Sequence, residues 1–352
     1  MRRSACSSVT WGVIALVLFW SLSSCSPGTT PGLSTPTPTM RPAPSPVRPT
    51  TQVPAQTPSA LPVTAATPIP QAGPEVLQKF GRGEFFCQDP RDPDESGRCS
   101  IYLLDPQGIV RQLTATDGPF DDYSATWSPD GSHIAFVSDR ETALENLYVM
   151  NADGSGMRRL TDMTRVCCPA WSPDGTRIAF SSWGEHGKAE PEPAVFVVNV
   201  ETGEVSPTMS GPGTWWVQWS PDGKSLFFTC GAGALCVMNA DGTDRRVIVQ
   251  RGAGASVLAF GLSPDGRWIA FEEADYLAGD QHGRLYKVDP SGGNLTLLKD
   301  LDTLEVPLSG PPRWLSNEEL YLHRYQSDYV GCILNVETGG LVEVDWRLLA
   351  RE

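Results

Sequence analysis

The chain is poor in the residues and motifs on which most catalytic sites depend. It has four histidines, His133, His186, His282 and His323. It has no Gly-x-Ser-x-Gly elbow, no His-Glu-x-x-His pair and no phosphate-binding loop. No Cys-x-x-Cys pair or histidine cluster marks a zinc site. We therefore expect no enzyme activity, no bound metal and no cofactor.

Long hydrophobic runs are also absent. The apolar run Val13–Leu22 is too short to cross a bilayer as a stable helix and has the length of a signal-peptide core. It leads into Leu22-Ser23-Ser24-Cys25, which resembles the bacterial lipobox. That resemblance implies cleavage before Cys25 and attachment of lipid to its sulfur. The alternative is an ordinary secretory signal with an incidental cysteine. The prediction is a lipoprotein signal peptide over residues 1–24.

Carboxylates are missing from residues 26–73, where Pro, Thr, Ser and Ala dominate and Arg41 and Arg48 are the charged residues. This composition cannot bury enough apolar surface to fold. Residues 25–73 are therefore predicted to be a disordered linker. In the extended polyproline form, at about 3.1 Å per residue, it could hold a domain up to roughly 150 Å from a membrane.

Positive charge is scarce, and the formal net charge is −14 at pH 7. Because the linker carries no carboxylates, the acidity belongs to the residues that follow it. An acidic surface repels nucleic acid and anionic headgroups. We expect no nucleic-acid partner, membrane contact only through the lipid at Cys25, and a monomer outside the cytoplasm, anchored in a bacterial cell envelope.

What the sequence does contain is a repeat. The motif Trp-Ser-Pro-Asp-Gly occurs at Trp127, Trp171 and Trp219, with Leu262 in the tryptophan place of a fourth copy and a decayed copy at Trp314. The spacing of 43 to 52 residues suits four short strands per unit. Pro presets the backbone for a turn that Gly closes. The residues assigned to this structural role are Trp127, Asp130, Gly131, Trp171, Asp174, Gly175, Trp219, Asp222, Gly223, Asp265 and Gly266.

Each motif is followed by a run rich in β-branched and aromatic residues, as in Ile134–Ser138, and then by a third strand that ends in an Asn-Ala-Asp-Gly type of turn. Such a unit has two apolar faces, so neighbouring units must stack. The pattern resembles the repeat of the TolB-type, WD-like β-propellers over Glu75–Trp346. That resemblance implies an all-β ring of four-stranded antiparallel blades; a flat solenoid is the competing architecture. It does not imply a function, because the family includes both a periplasmic partner of an envelope lipoprotein and peptidase domains.

Counting units predicts six blades over residues 74–352. The earliest unit lacks a first strand, which either Glu75–Phe80 or the C-terminal tail could supply. The family resemblance suggests a C-terminal closing strand, but no Pro-Asp-Gly turn remains after Trp346. We predict that Glu75–Phe80 is the missing strand.

The cysteines suggest two disulfides. Cys230 and Cys236 flank a short hairpin loop, and Cys87 and Cys99 flank the second-to-third loop of the first unit, so each pair could bond; buried free thiols are the alternative. The pairing of Cys167, Cys168 and Cys332 is left open.

Long second-to-third loops share one face of a propeller, and recognition residues are common in such loops. On this face we single out Trp183, Tyr276, Tyr325 and Tyr329, which have acidic neighbours. Exposed aromatics of this kind suit a basic protein surface or a glycan, although the rings could instead fold back onto the blades. The predicted function is an envelope-bound binding module for a protein or ligand. The alternatives are a propeller hydrolase or lyase acting on a polysaccharide or peptide, and a structural envelope role.

Overall fold

The structure is a computed structural model that describes residues 70–91, 98–115, 118–141, 144–182, 194–210, 215–231, 233–252, 254–275, 283–301, 310–323 and 330–351. These residues form six antiparallel sheets arranged as a six-bladed β-propeller. In chain order the strands are β1 (Glu84–Phe86), β2 (Tyr102–Leu104), β3 (Val110–Gln112), β4 (Asp122–Trp127), β5 (His133–Ser138), β6 (Asn146–Asn151), β7 (Arg158–Arg159), β8 (Cys167–Trp171), β9 (Arg177–Ser182), β10 (Ala194–Asn199), β11 (Val205–Ser210), β12 (Val217–Trp219), β13 (Ser225–Cys230), β14 (Ala234–Asn239), β15 (Arg246–Val249), β16 (Ala255–Leu262), β17 (Ile269–Asp275), β18 (Gly283–Val288), β19 (Thr296–Asp300), β20 (Arg313–Trp314), β21 (Glu319–His323), β22 (Val330–Asn335) and β23 (Leu341–Asp345).

Blade 1 consists of β1–β3, and blades 2 to 6 are the four-stranded sheets β4–β7, β8–β11, β12–β15, β16–β19 and β20–β23. The first strands of successive blades contact one another: β4 packs beside β8, β8 beside β12 and β16 beside β20. These first strands are therefore the innermost ones. The predicted all-β fold of six blades is confirmed.

The Ser-Pro-Asp-Gly motif builds the turn between the first and second strands of a blade. In blade 2 the Ser128 hydroxyl donates to Asp130 Oδ1 over 2.7 Å and accepts the backbone N–H of His133 over 2.9 Å. Gly131 closes the turn at φ 76°, in the left-handed region that favours glycine. Ser172, Ser220 and Ser263 bond their aspartates in the same way. The motif recurs because each copy satisfies the polar groups of its own turn.

Hydrogen bonds within the turn also lower the pKa of the motif aspartates. The Ser172 hydroxyl and the Thr176 backbone N–H stabilise the ionised Asp174 and lower its pKa to about 2. The backbone N–H of Arg267 and the Ser263 hydroxyl do the same for Asp265, whose pKa is also about 2. These carboxylates are turn components that remain charged at any physiological pH.

The core lies between blades. In blades 2 to 6 the second strand buries residues on both faces, so Ala135 and Val137 pack against Ile178 and Phe180 of the next blade. Within a blade, aromatic residues stack across the second and third strands, as in Phe136 with Tyr148 at 5.6 Å between ring centroids. Each blade thus buries apolar surface that it could not bury alone.

In three blades, a tryptophan of the inner strand forms a hydrogen bond to the preceding blade. The indole Nε1 of Trp171 donates to the Thr126 carbonyl at 3.3 Å, that of Trp219 to the Ala170 carbonyl at 3.1 Å, and that of Trp314 to the Gly261 carbonyl at 2.9 Å. In each case the acceptor directly precedes the repeat anchor of the preceding blade. Blade 5 has Leu262 in this place. Here the Gln218 side chain of blade 4 links the two blades: it donates to the Phe260 carbonyl and accepts from the Leu262 N–H.

Blade 1 differs from the prediction. Residues Glu75–Phe80 form most of a 3₁₀ helix, Pro74–Phe80, and not a strand; this prediction was wrong. The physical reason is the spacing of the apolar residues: Val76, Leu77 and Phe80 are buried on one side while Glu75 is exposed, which is a helical pattern and not an alternation. Pro74 at the first helical position also favours a helix start.

The ring closes where the two ends of the propeller meet. Gln71 pairs in parallel with Glu343 in the outer strand of blade 6, and Ile109 beside β3 pairs in parallel with Arg351. Between these pairs, Phe80 of the 3₁₀ helix packs with Trp346 of the short helix α1 (Trp346–Leu349). Pairing thus begins before residue 74, within the segment that the sequence assigns to the linker. In the described ranges no helix is long and apolar enough to cross a membrane.

Candidate functional site

The inner position of blade 1 is unoccupied by any strand in the part of the chain that the structure describes. β1 is the edge of a three-stranded sheet, whereas the second strand of every other blade has an inner partner. A cavity of about 530 Å³ lies beside this position. We call it the blade-1 gap; its lining residues are Lys79, Phe80, Gly81, Arg82, Trp127, Arg313, Trp314 and Leu315.

Trp127 shows most directly that a partner strand is missing. It is the blade-2 counterpart of Trp171, Trp219 and Trp314, whose indoles bond to the preceding inner strand. The Nε1 of Trp127 is buried and has no acceptor among the described residues. Its ring packs against Phe85 of β1 at 5.1 Å between centroids. A buried donor without a partner costs free energy, and a backbone carbonyl in the blade-1 gap would satisfy it.

The gap is bordered by cations in an otherwise acidic protein. Arg82 is exposed and bonds to the Pro129 carbonyl at 2.9 Å. Lys79 pairs with Glu319 at 2.6 Å. Arg313 pairs with Glu84, and its guanidinium lies 5.5 Å from the centroid of the Phe80 ring. Arg82 therefore has no carboxylate partner among the residues described, while the other two cations are already paired.

Glu84 lies in β1 at a place that is apolar in other blades. Glu84 pairs with Leu104 in blade 1 as Ile134 pairs with Met150 in blade 2. Burial by itself would raise the pKa of the Glu84 carboxyl, but Arg313 and His323 together lower it below its ordinary value. Glu84 is therefore an ionised, buried carboxylate held at the seam between blades 6 and 1.

We expect Arg313→Ala to destabilise the protein by about 2–3 kcal/mol, because it leaves the buried Glu84 charge with a weaker partner. The loss is smaller than for a fully buried pair, since Arg313 keeps 44% of its side chain exposed. Glu84→Leu, which restores the apolar type of Ile134, should change stability by less than about 1 kcal/mol. Urea unfolding of both variants checks this. Equal losses for the two would mean that the pair itself, and not the stranded charge, carries the effect.

Other ion pairs lie at the opposite end of the blades from Glu84. Where β4 begins and β5 ends, Asp122 pairs with Arg140 at 2.6 Å. In blade 5, Glu273 pairs with Arg251. Both carboxylates are buried. No group of three or more His, Cys, Asp or Glu residues within the described ranges could hold a metal ion.

The four aromatic residues predicted to bind a partner, Trp183, Tyr276, Tyr325 and Tyr329, lie outside the described residues, as does Cys25. The long-loop face therefore stays a prediction. The cysteine pairs are described: Cys87 bonds to Cys99, and Cys230 bonds to Cys236.

Cys167, Cys168 and Cys332 belong to neither of these disulfides. Cys168 donates to the Sγ of Cys167 over 2.9 Å, and this bond together with burial raises the pKa of the Cys168 thiol. Cys332 is buried in β22. The Cys168 thiol is therefore a poor nucleophile at neutral pH.

The blade-1 gap was missed at the sequence level because it is defined by a strand that is not there. Two signals point to it. The first is that Trp127 has no repeat anchor one unit before it, and the second is Glu84 in a position that is Ile or Leu in the other copies.

No protein-family profile matches the chain. Over 156 residues, 41% of this chain, it is 32% identical to the uncharacterised peptidase YuxL of Bacillus subtilis, and the match spans 20% of that protein. TolB from Acinetobacter baumannii has the same fold with a TM-score of 0.58 at 18% identity, over 74% of this chain and 62% of that one. The TolB of Agrobacterium tumefaciens gives 0.56 at 18% identity, over 74% and 90%. An oligogalacturonate lyase from Vibrio parahaemolyticus gives 0.55 at 17% identity, over 75% and 74%. These likenesses show a TolB-like propeller fold, which TolB proteins and an enzyme share.

Proposed function

We propose that the protein is a membrane-anchored, extracytoplasmic binding module of the bacterial cell envelope, whose propeller holds a protein or glycan partner. The observation that carries the proposal is the blade-1 gap: in the part of the chain that the structure describes, one inner position is open beside an indole without an acceptor and an arginine without a carboxylate partner. A concave, mostly apolar cavity with a few polar groups on a rigid scaffold is typical of binding sites. The role assigned here needs no catalytic step.

The anchoring part of the proposal rests on the sequence. The short apolar run ending at Leu22, the cysteine at position 25 and the Pro/Thr-rich linker together support a lipid-anchored domain held away from a membrane. The two disulfides support an oxidising compartment. The TolB-like fold agrees with an envelope role but does not select a partner.

The proposal is tested in intact cells with the full-length protein. A photo-crosslinking amino acid is placed at Arg82, beside the gap, or at Arg246, an exposed arginine of blade 4 that likewise bonds to a proline carbonyl. We expect one dominant adduct from position 82 and none from position 246.

A combined variant in which Trp183, Tyr276, Tyr325 and Tyr329 are changed to Ala separates the two candidate surfaces. If the adduct at position 82 persists in this variant, the gap holds the partner. If it is lost while the protein remains folded, the long-loop face contributes to binding. The absence of any adduct from either position would contradict a binding role through the gap.

A further inference from the structure

We propose that the blade-1 gap accepts one extended, acidic segment of a partner protein, which adds to β1 as the missing inner strand of the blade. This inference rests on the proposed function and specifies what the gap binds. It follows from three properties of the site among the described residues: an open sheet edge, a buried indole without an acceptor, and an arginine without a carboxylate partner.

The open edge defines the direction of the added segment. In blade 2, Trp127 and Thr126 of the inner strand lie opposite Ile134 and Ala135. In blade 1, Glu84 and Phe85 of β1 correspond to Ile134 and Ala135, because they pair with the third strand of their blade in the same register. An extended segment antiparallel to β1 would lie opposite Phe85 as Thr126 lies opposite Ala135. Strand addition at a free sheet edge is an established mode of peptide recognition.

The indole of Trp127 fixes the register. In blades 3, 4 and 6 the tryptophan donates to the residue directly before the repeat anchor of the preceding blade: Thr126, Ala170 and Gly261. One residue of the added segment would take this place in blade 1 and present its backbone carbonyl to Trp127 Nε1. A carbonyl is available at every residue of an extended chain, so this contact positions the segment without selecting its side chains.

The positive charge around the gap selects the side chains of the added segment. Arg82 bonds to a carbonyl and has no carboxylate partner among the described residues, and Lys79 and Arg313 lie on the same cavity wall. Carboxylates on the added segment would be attracted by these cations and would pair with Arg82. The chain's own linker lacks this charge complementarity, because residues 26–69 contain no carboxylates and carry Arg41 and Arg48. A second copy is disfavoured because two molecules of net charge −14 repel each other.

The test uses the purified full chain in detergent and two fluorescein-labelled hexapeptides, one of alternating threonine and glutamate and one of alternating threonine and lysine. Fluorescence anisotropy should show saturable binding of the glutamate peptide, weakened by salt, and none of the lysine peptide. Arg82→Glu should weaken binding at least about tenfold, and Trp127→Phe about three- to tenfold. The matched control Arg246→Glu should leave the dissociation constant within about twofold, because its charge is remote from the gap.

A second readout does not depend on affinity. The indole N–H resonance of Trp127, identified among the tryptophan resonances by its loss in Trp127→Phe, should move downfield when the glutamate peptide binds, as the N–H gains an acceptor. Circular dichroism verifies that both variants are folded. Equal binding of both peptides, or binding that leaves this resonance in place, would overturn the proposal.

Two other occupants give distinct results. If the linker fills the gap, the free protein shows the Trp127 resonance already shifted and no peptide binds. If a second copy fills it, the protein sediments as a dimer that Arg82→Glu dissociates. Either result overturns the inference. A partner adduct at position 82 in cells together with no peptide binding would leave the proposed function standing and reject strand addition alone.

Discussion

Trp346→Ala is expected to lower the free energy of unfolding by about 3–5 kcal/mol, the range for removing a large buried aromatic side chain. Trp346 is fully buried in α1, and its ring centroid lies 4.6 Å from that of Phe80 and 5.8 Å from that of Tyr321. Its Nε1 donates to the Tyr321 hydroxyl over 2.6 Å. The substitution leaves a cavity and a buried hydroxyl that has lost its donor.

Because Trp346 lies where the two ends of the propeller meet, its removal weakens the contacts that close the ring. Phe80 comes from the start of the propeller, Tyr321 from blade 6 and Trp346 from its end, and the three rings contact one another. Blade 1 lacks an inner strand in the described residues, so this aromatic cluster replaces part of the contact that β-pairing provides between other blades. We therefore expect the variant to expose blades 1 and 6 first.

The control for this experiment is Leu348→Ala in the same helix, where the side chain is 74% exposed. It should change stability by less than about 0.5 kcal/mol. Tyr321→Phe isolates the hydrogen bond and should cost about 1 kcal/mol or slightly more. Urea unfolding gives the free energies, and hydrogen exchange locates the loss. If Trp346→Ala costs no more than Leu348→Ala, other contacts close the ring.

The repeat could be predicted because its determinants are local. Ser172, Asp174 and Gly175 satisfy one another within a single turn, so the same letters give the same structure wherever they occur. The aromatic pair Phe136 and Tyr148 lies across one hairpin in the same way. Four such copies indicate the blade type, and the decayed copy at Trp314 together with the unit before Trp127 completes the count of six.

Closure could not be predicted, because its determinants are distant in sequence and occur once. Glu84 and Arg313 are 229 residues apart, and no second copy of this pair exists for comparison. The helical spacing of Val76, Leu77 and Phe80 was visible, but counting strands favoured a strand there. The gap is the consequence: a site created by a departure from the repeat is invisible to reasoning that relies on the repeat.

Glu272→Gln is expected to stabilise the protein by on the order of 3–5 kcal/mol at pH 8.5 and to leave its stability nearly unchanged at pH 4. Glu272 is buried in β17, and burial raises the pKa of its carboxyl from 4.5 to about 8. In the unfolded chain the carboxyl titrates near its ordinary value. Between pH 4.5 and 8 the folded state therefore binds a proton that the unfolded state has released.

This difference sets the sign of the pH dependence. Because the folded state holds the extra proton, raising the pH from 4.5 to about 8 lowers the stability contribution of Glu272, and above pH 8 the penalty is constant. Glutamine has nearly the same shape and no charge, so it removes the penalty while filling the same space. At pH 4 both side chains are mostly neutral in both states, so the difference becomes small.

The neighbouring residue supplies a control of opposite sign. Glu273 is also buried in β17, but it pairs with Arg251 and lies 3.8 Å from Arg284. Glu273→Gln should therefore destabilise the protein at pH 8.5 by about 1–3 kcal/mol, because it removes a charge-assisted bond. Urea unfolding of both variants at the two pH values separates the effects. If Glu272→Gln failed to stabilise at pH 8.5, the carboxyl would have to be ionised and solvated in the folded protein. Two adjacent glutamates on one strand thus differ in the sign of their effect because alternate residues of a strand lie on opposite faces of the sheet: Glu273 pairs with arginines, whereas burial dominates at Glu272.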